Sequence, residues 1–142
     1  MNNSLQLPDD PILERENAYV FEEIDTDKFT VKPITSGLLR LYGGMIISQS
    51  LAAGRLTVPS GKEAHSFHAY YLKPGLTDLP LEFEVARETD GQSFSMRRIR
   101  ATQDGKPVMN MLASFQVPEN SPEHQISMPE VPHPETLTPL AQ

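Results

Sequence analysis

Residues 41–56 read LYGGMIISQSLAAGRL, and the fold turns on them. Gly43 and Gly44 precede a run in which Met45, Ile46, Ile47, Leu51, Ala52, Ala53 and Leu56 cover most of a helical circumference. A helix apolar nearly all round is a buried one, so the segment predicts a central helix with other structure wrapped about it. The flanking sequence is strand-like. Upstream, 19–24 and 28–32 are short β-prone runs parted by Asp25-Thr26-Asp27, whose side chains bond nearby backbone and favour a turn. Downstream, 64–72 leads into Lys73-Pro74-Gly75. In 81–88, Leu81, Phe83, Val85 and then Arg87 share one face, with Glu82, Glu84 and Glu88 on the other. Asp90-Gly91 and Asp104-Gly105 separate 81–88, 93–103 and 107–117, and Asp-Gly between strands is a strong hairpin signal.

The expected order is thus a hairpin, one helix and four antiparallel strands in succession. A lone helix must bury its surface on a single curved sheet. The expected class is α+β, an antiparallel sheet wrapped around one central buried helix.

Composition bounds the rest. The chain has 142 residues, 38% of them hydrophobic, enough for one ordinary domain with a packed core. It has no cysteine, which excludes disulfides, thiolate nucleophiles, thiolate zinc sites and iron–sulfur clusters. Six of the 13 prolines (Pro118, Pro122, Pro129, Pro132, Pro134, Pro139) fall after Val117. Because proline fixes φ and removes a donor, 118–142 reads as a linker-like tail. Residues 1–16 read as a polar, flexible arm, and 17–117 as the domain. Charge follows the same division. Residues 1–30 carry eight acids and two bases, 31–117 seven acids and ten bases, and 118–142 four acids and no base, within a total of −7. That total argues against nucleic-acid binding, while the cationic body can hold a small polyanion. The start MNNSLQLPDD has neither a basic n-region nor an apolar run, and no stretch reaches the ~20 apolar residues a bilayer span needs. The expectation is a cytoplasmic chain with no membrane segment, with a peroxisomal location open to it through a partner.

Several residues invite a chemical reading, each with a plainer one beside it. Gly43-Gly44 at a helix start leave N–H donors and positive potential free to polarise a carbonyl or hold a phosphate; they also simply allow close packing. In His65-Ser66-Phe67-His68, strand alternation puts His65 and Phe67 on one face and Ser66 and His68 on the other, so the two histidines cannot share a metal. One of them facing a pocket can move protons near neutral pH; a strand histidine is also often only hydrogen-bonded. Ser93, after Asp90-Gly91-Gln92, is a substrate contact or a turn residue. Arg97, Arg98 and Arg100 on one strand are a solvated face or a bidentate phosphate grip, with Arg97 opposite the other two. No Walker, Rossmann, EF-hand, zinc or G-x-S-x-G pattern occurs, and no metal or other cofactor is expected.

At LYGGMIISQSLAAG (41–54), HSFHAYYLKPG (65–75), DGQSFSMRRI (90–99) and DGKPVMNMLASFQVPE (104–119) the chain closely resembles the acyl-CoA thioesterase II family, built from two tandem hotdog folds. The match is to the first repeat and continues into EHQISMPEVPHP, which looks like the start of the family's inter-repeat linker. The resemblance implies a single hotdog fold here and hydrolysis of fatty acyl-CoA to fatty acid and CoA by activated water, without a metal. It also implies a missing set of groups, because the family's acting Asp, Thr and Gln are assigned to the second repeat. Superposing the repeats puts Phe67 at the Asp position, Ser93 near the Thr and Ser114 near the Gln. Met45 replaces the last residue of the family's Gly-Gly-Gln, and His65 matches its first-repeat histidine. The implied site is His65 and Ser93 as catalytic candidates, with Gly43, Gly44, Met45, Phe67, Arg97 and Ser114 around the substrate. The implied partners are acyl-CoA and a second hotdog copy, as a homodimer or a separate second-repeat chain. A rival is a non-catalytic acyl-CoA-binding or assembly module lacking the second repeat's catalytic residues.

Overall fold

The structure is a computed structural model that describes residues 18–33 and 39–138. The arm expected over 1–16 lies outside the described residues. Six strands, β1 (Phe21–Asp25), β2 (Lys28–Val31), β3 (Glu63–Tyr71), β4 (Leu81–Asp90), β5 (Phe94–Gln103) and β6 (Lys106–Gln116), form one sheet in the order β1-β2-β4-β5-β6-β3. Every neighbouring pair is antiparallel. The single α-helix among the described residues, α1 (Gly43–Leu56), lies on one face of that sheet. Among the described residues no helix is long and apolar enough to cross a membrane.

Turn chemistry explains the hairpins. Asp104 and Gly105 both take positive φ (49° and 67°), the geometry of a tight hairpin turn between β5 and β6. Asp27, at φ 55°, makes the β1–β2 turn. At Asp90-Gly91 the loop is longer: Gly91 N bonds Phe94 O at 2.8 Å, while the Asp90 side chain turns back to Arg97.

β3 departs from a simple succession of neighbours. It crosses to the far edge and pairs with β6, Glu63 opposite Gln116 and Tyr71 opposite Met109. The edge of β4 is already taken by β2, with Phe29 opposite Phe83, so β6 offers the free ladder.

The core is the inner face of the sheet. Phe29, Val31, Leu81, Phe83, Val85, Ile99, Ala101, Met109, Met111, Ala113 and Phe115 pack there with Ile46 and Ala53 of α1. Gly54 permits the close approach: a β-carbon built there would stand 3.1 Å from Ile99 Cδ1. Burial of α1 is one-sided. Ile46, Gln49, Ser50, Ala53 and Gly54 are buried, whereas Ile47, Leu51 and Ala52 are half-covered and Leu56 is exposed. Gln49 Nε2 donates to Ala18 O at 2.6 Å and ties the start of the described chain to the helix. Beyond Val117 the described residues to 138 are exposed and carry only a short 3-10 turn at Pro134–Thr136.

Candidate active site

No described side chain caps the N–H groups at the amino end of α1. Tyr42 is the N-cap without a side-chain bond, and no acid lies in the first turn. Met45 N and Ile46 N both return to Tyr42 O, at 2.9 and 3.4 Å. The N–H groups of Gly43 and Gly44 bond no other described residue, so two amides and the positive end of the helix dipole face outward.

Gly43 and Ile46 of this helix start line a pocket of about 340 Å³ together with Leu41, Tyr71, Leu72, Lys73, Pro74 and Gly75. Tyr71 braces the wall. Its hydroxyl donates to Gly43 O, and burial, with Tyr42 adding, pushes that hydroxyl above its ordinary value, keeping it a neutral donor. A β-carbon on Gly43 would sit 2.9 Å from Tyr71 Oη, so the bond requires glycine there. Leu41 N bonds Gly75 O at 2.9 Å and closes the loop after β3 over the helix start.

Phe67 shares the inner face of β3 with Ala69 and Tyr71, four residues from Tyr71, or about 13 Å at strand rise. It is about half exposed on the sheet edge. Met45 belongs to the first turn beside the two glycines.

His65, Ser114 and Ser93 lie elsewhere. A bulge between Ala64 and Ser66 interrupts the alternation expected for this strand. His65 consequently meets Ser114, Nε2 to Oγ 2.8 Å, and packs edge-on against Phe94. Ser114 sits between the buried Ala113 and Phe115 and therefore points to the outer face. Ser93 is exposed in the β4–β5 loop, its carbonyl accepting from Val117 N at 3.0 Å. These three residues gather near the Glu63 end of β3, whereas Gly43 bonds the Tyr71 end. The implied site residues thus form two groups on opposite faces.

Arg97 is a correction. Expected at a phosphate, its side chain is wholly buried, and all its donors are occupied inside the chain. Nε bonds Thr57 Oγ1 at 2.7 Å, Nη1 bonds Met96 O and Thr89 O, and Nη2 bonds Thr57 O at 2.9 Å and Asp90 Oδ1 at 2.7 Å. The reason is its register: Ser95, Arg97 and Ile99 point inward, and at position 97 the inward direction meets the carboxyl end of α1, where a cation suits the dipole. The Arg97 guanidinium, with the Ser95 hydroxyl, holds the Asp90 carboxyl below the usual 3.8. Sequence reading also passed over Lys62. Buried, it donates to Gly91 O at 2.5 Å, Phe94 O at 3.2 Å and Ser95 Oγ at 2.9 Å. Tyr71 was findable, since it continues the inner-face row of Phe67; Lys62, in a loop, gave no signal.

The profile of the acyl-CoA thioesterase N-terminal domain matches residues 31–116. Human acyl-coenzyme A thioesterase 8 is 41% identical over 117 residues, covering 82% of this chain and 37% of that protein. An acyl-CoA thioesterase II from Mycobacterium marinum superposes with TM-score 0.72 at 34% identity, over 84% of this chain and 44% of that one. A protein from Alicyclobacillus acidocaldarius described as having a hot dog fold gives TM-score 0.66 at 22% identity, over 84% and 46%, and supports the fold alone. The chain therefore spans less than half the length of these proteins.

Proposed function

The chain belongs to the acyl-CoA thioesterase family by its hotdog domain, and from that membership we propose that it is one half of a fatty acyl-CoA thioester hydrolase completed by a second hotdog copy. The observation that carries the reading is the helix start, where the amides of Gly43 and Gly44 bond no described residue and Gly43 lines a pocket that Tyr71 holds in shape. A thioester carbonyl oxygen lodged there accepts two N–H bonds. When water adds to the carbonyl carbon, the same bonds and the helix dipole stabilise the oxyanion. Collapse breaks the C–S bond, leaving fatty acid and the CoA thiol. The acyl chain follows the half-covered side of α1, past Ile47 and Leu51.

The water needs a base, and the pocket lining contains no carboxylate and no histidine. On this reading the second copy supplies it. That copy also covers β3, an unpaired edge carrying Phe67, Tyr70 and Tyr71, all about half exposed or more. The same observation favours a second reading, a module that binds acyl-CoA and assembles without turnover.

Release of free thiol from medium- and long-chain acyl-CoA tests both. Hydrolysis is expected from the assembled species, whether homodimer or mixed with a second-repeat chain. Saturable acyl-CoA binding by the assembled protein with thiol release at background would select the binding module instead.

A further inference from the structure

With Arg97 withdrawn into the core, the anionic end of a coenzyme A thioester has to be met elsewhere. Beside the helix-start pocket lies a groove of about 460 Å³ lined by Leu39, Arg40, Lys73, Pro74, Leu76, Leu79, Gln103, Asp104, Lys106 and Val108. We propose that this groove binds the nucleotide end of the substrate, an adenosine 3′,5′-bisphosphate polyanion, through Arg40, Lys73 and Lys106. The proposal rests on the acyl-CoA reading above and adds to it a location for the charge.

Three observations support it. The first is charge. In a chain of net charge −7, this lining holds three cations against one acid, a local reversal of sign that attracts a polyanion. Lys73 and Arg40 make no side-chain bond to a described residue, and Lys106 has only a 3.4 Å contact with Asp104, both of them exposed. Three other arginines, by contrast, are engaged: Arg87 by Asp27, Arg98 by Glu88 and Arg97 by Asp90.

The second is a floor already built. Gln103, buried at the end of β5, donates from Nε2 to Leu76 O (2.8 Å) and Leu79 O (2.9 Å) and accepts at Oε1 from Leu76 N (2.8 Å). The loop after β3 is fixed by these three bonds and by the Arg40–Leu76 bridge. Leu39 stands three-quarters exposed at the lip, offering an apolar face to a purine.

The third is continuity. Lys73 and Pro74 line both the groove and the pocket at Gly43. One extended molecule can place its thioester at the helix start and its phosphates on the cations while crossing only those two residues.

The test is calorimetric titration of the whole chain at low salt with two probes, adenosine 3′,5′-bisphosphate and an acyl-pantetheine that lacks the nucleotide. Wild type is expected to bind both. The variant R40Q/K106Q, which spares the pocket-lining Lys73, is expected to bind the bisphosphate about tenfold or more weakly, with acyl-pantetheine unchanged. The control Arg100→Gln removes a cation on the outer sheet face, opposite Glu84 in register, and is expected to leave both titrations unchanged. An unchanged bisphosphate affinity in the R40Q/K106Q variant, or an equal loss in the control, overturns the groove. Acyl-pantetheine binding without bisphosphate binding in wild type overturns the groove but leaves the acyl-CoA reading standing; binding of neither overturns both.

Discussion

Arg97 Nη2 sits 2.7 Å from Asp90 Oδ1 and 2.9 Å from the carbonyl of Thr57, so one guanidinium joins the β4–β5 hairpin to the carboxyl end of α1. A buried cation of this kind stabilises only while its acceptors remain; removing one partner strands the charge. Asp90→Asn is expected to lower stability by about 1–2 kcal/mol, the smaller end of such losses because Asp90 is 37% exposed. Arg97→Met, which also frees the helix-end carbonyl, is expected to lose about 3 kcal/mol. Urea unfolding followed by circular dichroism measures both, and equal stabilities for wild type and Arg97→Met would refute the role.

Acid should unfasten the same region. Asp90 and Asp27 both have carboxyls held below the ordinary 3.8, chiefly by hydrogen bonds from Arg97 and Arg87 respectively. Groups lowered in the folded state contribute stability that is whole above the ordinary value and is lost as pH falls through the folded one. Stability is therefore expected to hold level from neutral pH to about 5 and drop below about 4. In Asp90→Asn that acid-side drop is expected to be shallower, which unfolding midpoints across pH 2–7 would reveal.

Among the described residues Lys62 has no carboxylate partner, and it spends its charge on two carbonyls and a hydroxyl around the β4–β5 loop. Lys62→Met removes those bonds and also the cost of burying the cation. The expected outcome is a small change in global stability, about 1 kcal/mol either way, with much faster amide exchange at Gly91 and Val117, whose bonds lean on that loop. Unchanged exchange at both amides would count against the assignment.

Gly54 decides how closely the helix lies on β5. Gly54→Ala gains about 1 kcal/mol of helix propensity, while its methyl presses on Ile99 Cδ1 (3.1 Å) and Cγ1 (3.3 Å) and touches Phe115 Cζ (3.6 Å), so the two effects offset and the net change is expected to be within about 1 kcal/mol of zero. Gly54→Leu has no such room and is expected to lose about 2 kcal/mol or more by overpacking. Thermal midpoints of the two variants separate these outcomes.

Tyr71 positions the first turn of α1 without touching the reacting atoms. Tyr71→Phe is expected to cost about 1 kcal/mol of stability and to weaken acyl-pantetheine binding several-fold. Bisphosphate binding in the neighbouring groove should stay unchanged. A purely structural role would move both affinities together.

Much of this was legible in the chain. The helix follows from an apolar run opened by two glycines, and β4 to β6 from alternation punctuated by Asp-Gly. Long-range consequences were not. The crossing of β3 depends on β2 having taken the edge of β4, which no local pattern records. His65 was assigned a face by counting in twos, and one bulged residue reversed it. Arg97 looked like a surface cation because side-chain type is a poor guide to burial when the burying partner is a helix end distant in sequence. The two glycines at the helix start were readable as donors, but the pocket that Gly43 lines needed the loop after β3, brought there by tertiary bonds.

The placement of β3 beside β6 also sets an order of events in time. β4, β5 and β6 are joined by short turns and can zip within microseconds, whereas β3 must wait for the last strand of the sheet before it has anything to pair with. During synthesis, α1 and β3 leave the ribosome well ahead of the surfaces that cover them. The interval between the appearance of Tyr71 and that of Gln116 is when this chain is most exposed to misassembly and to chaperone capture.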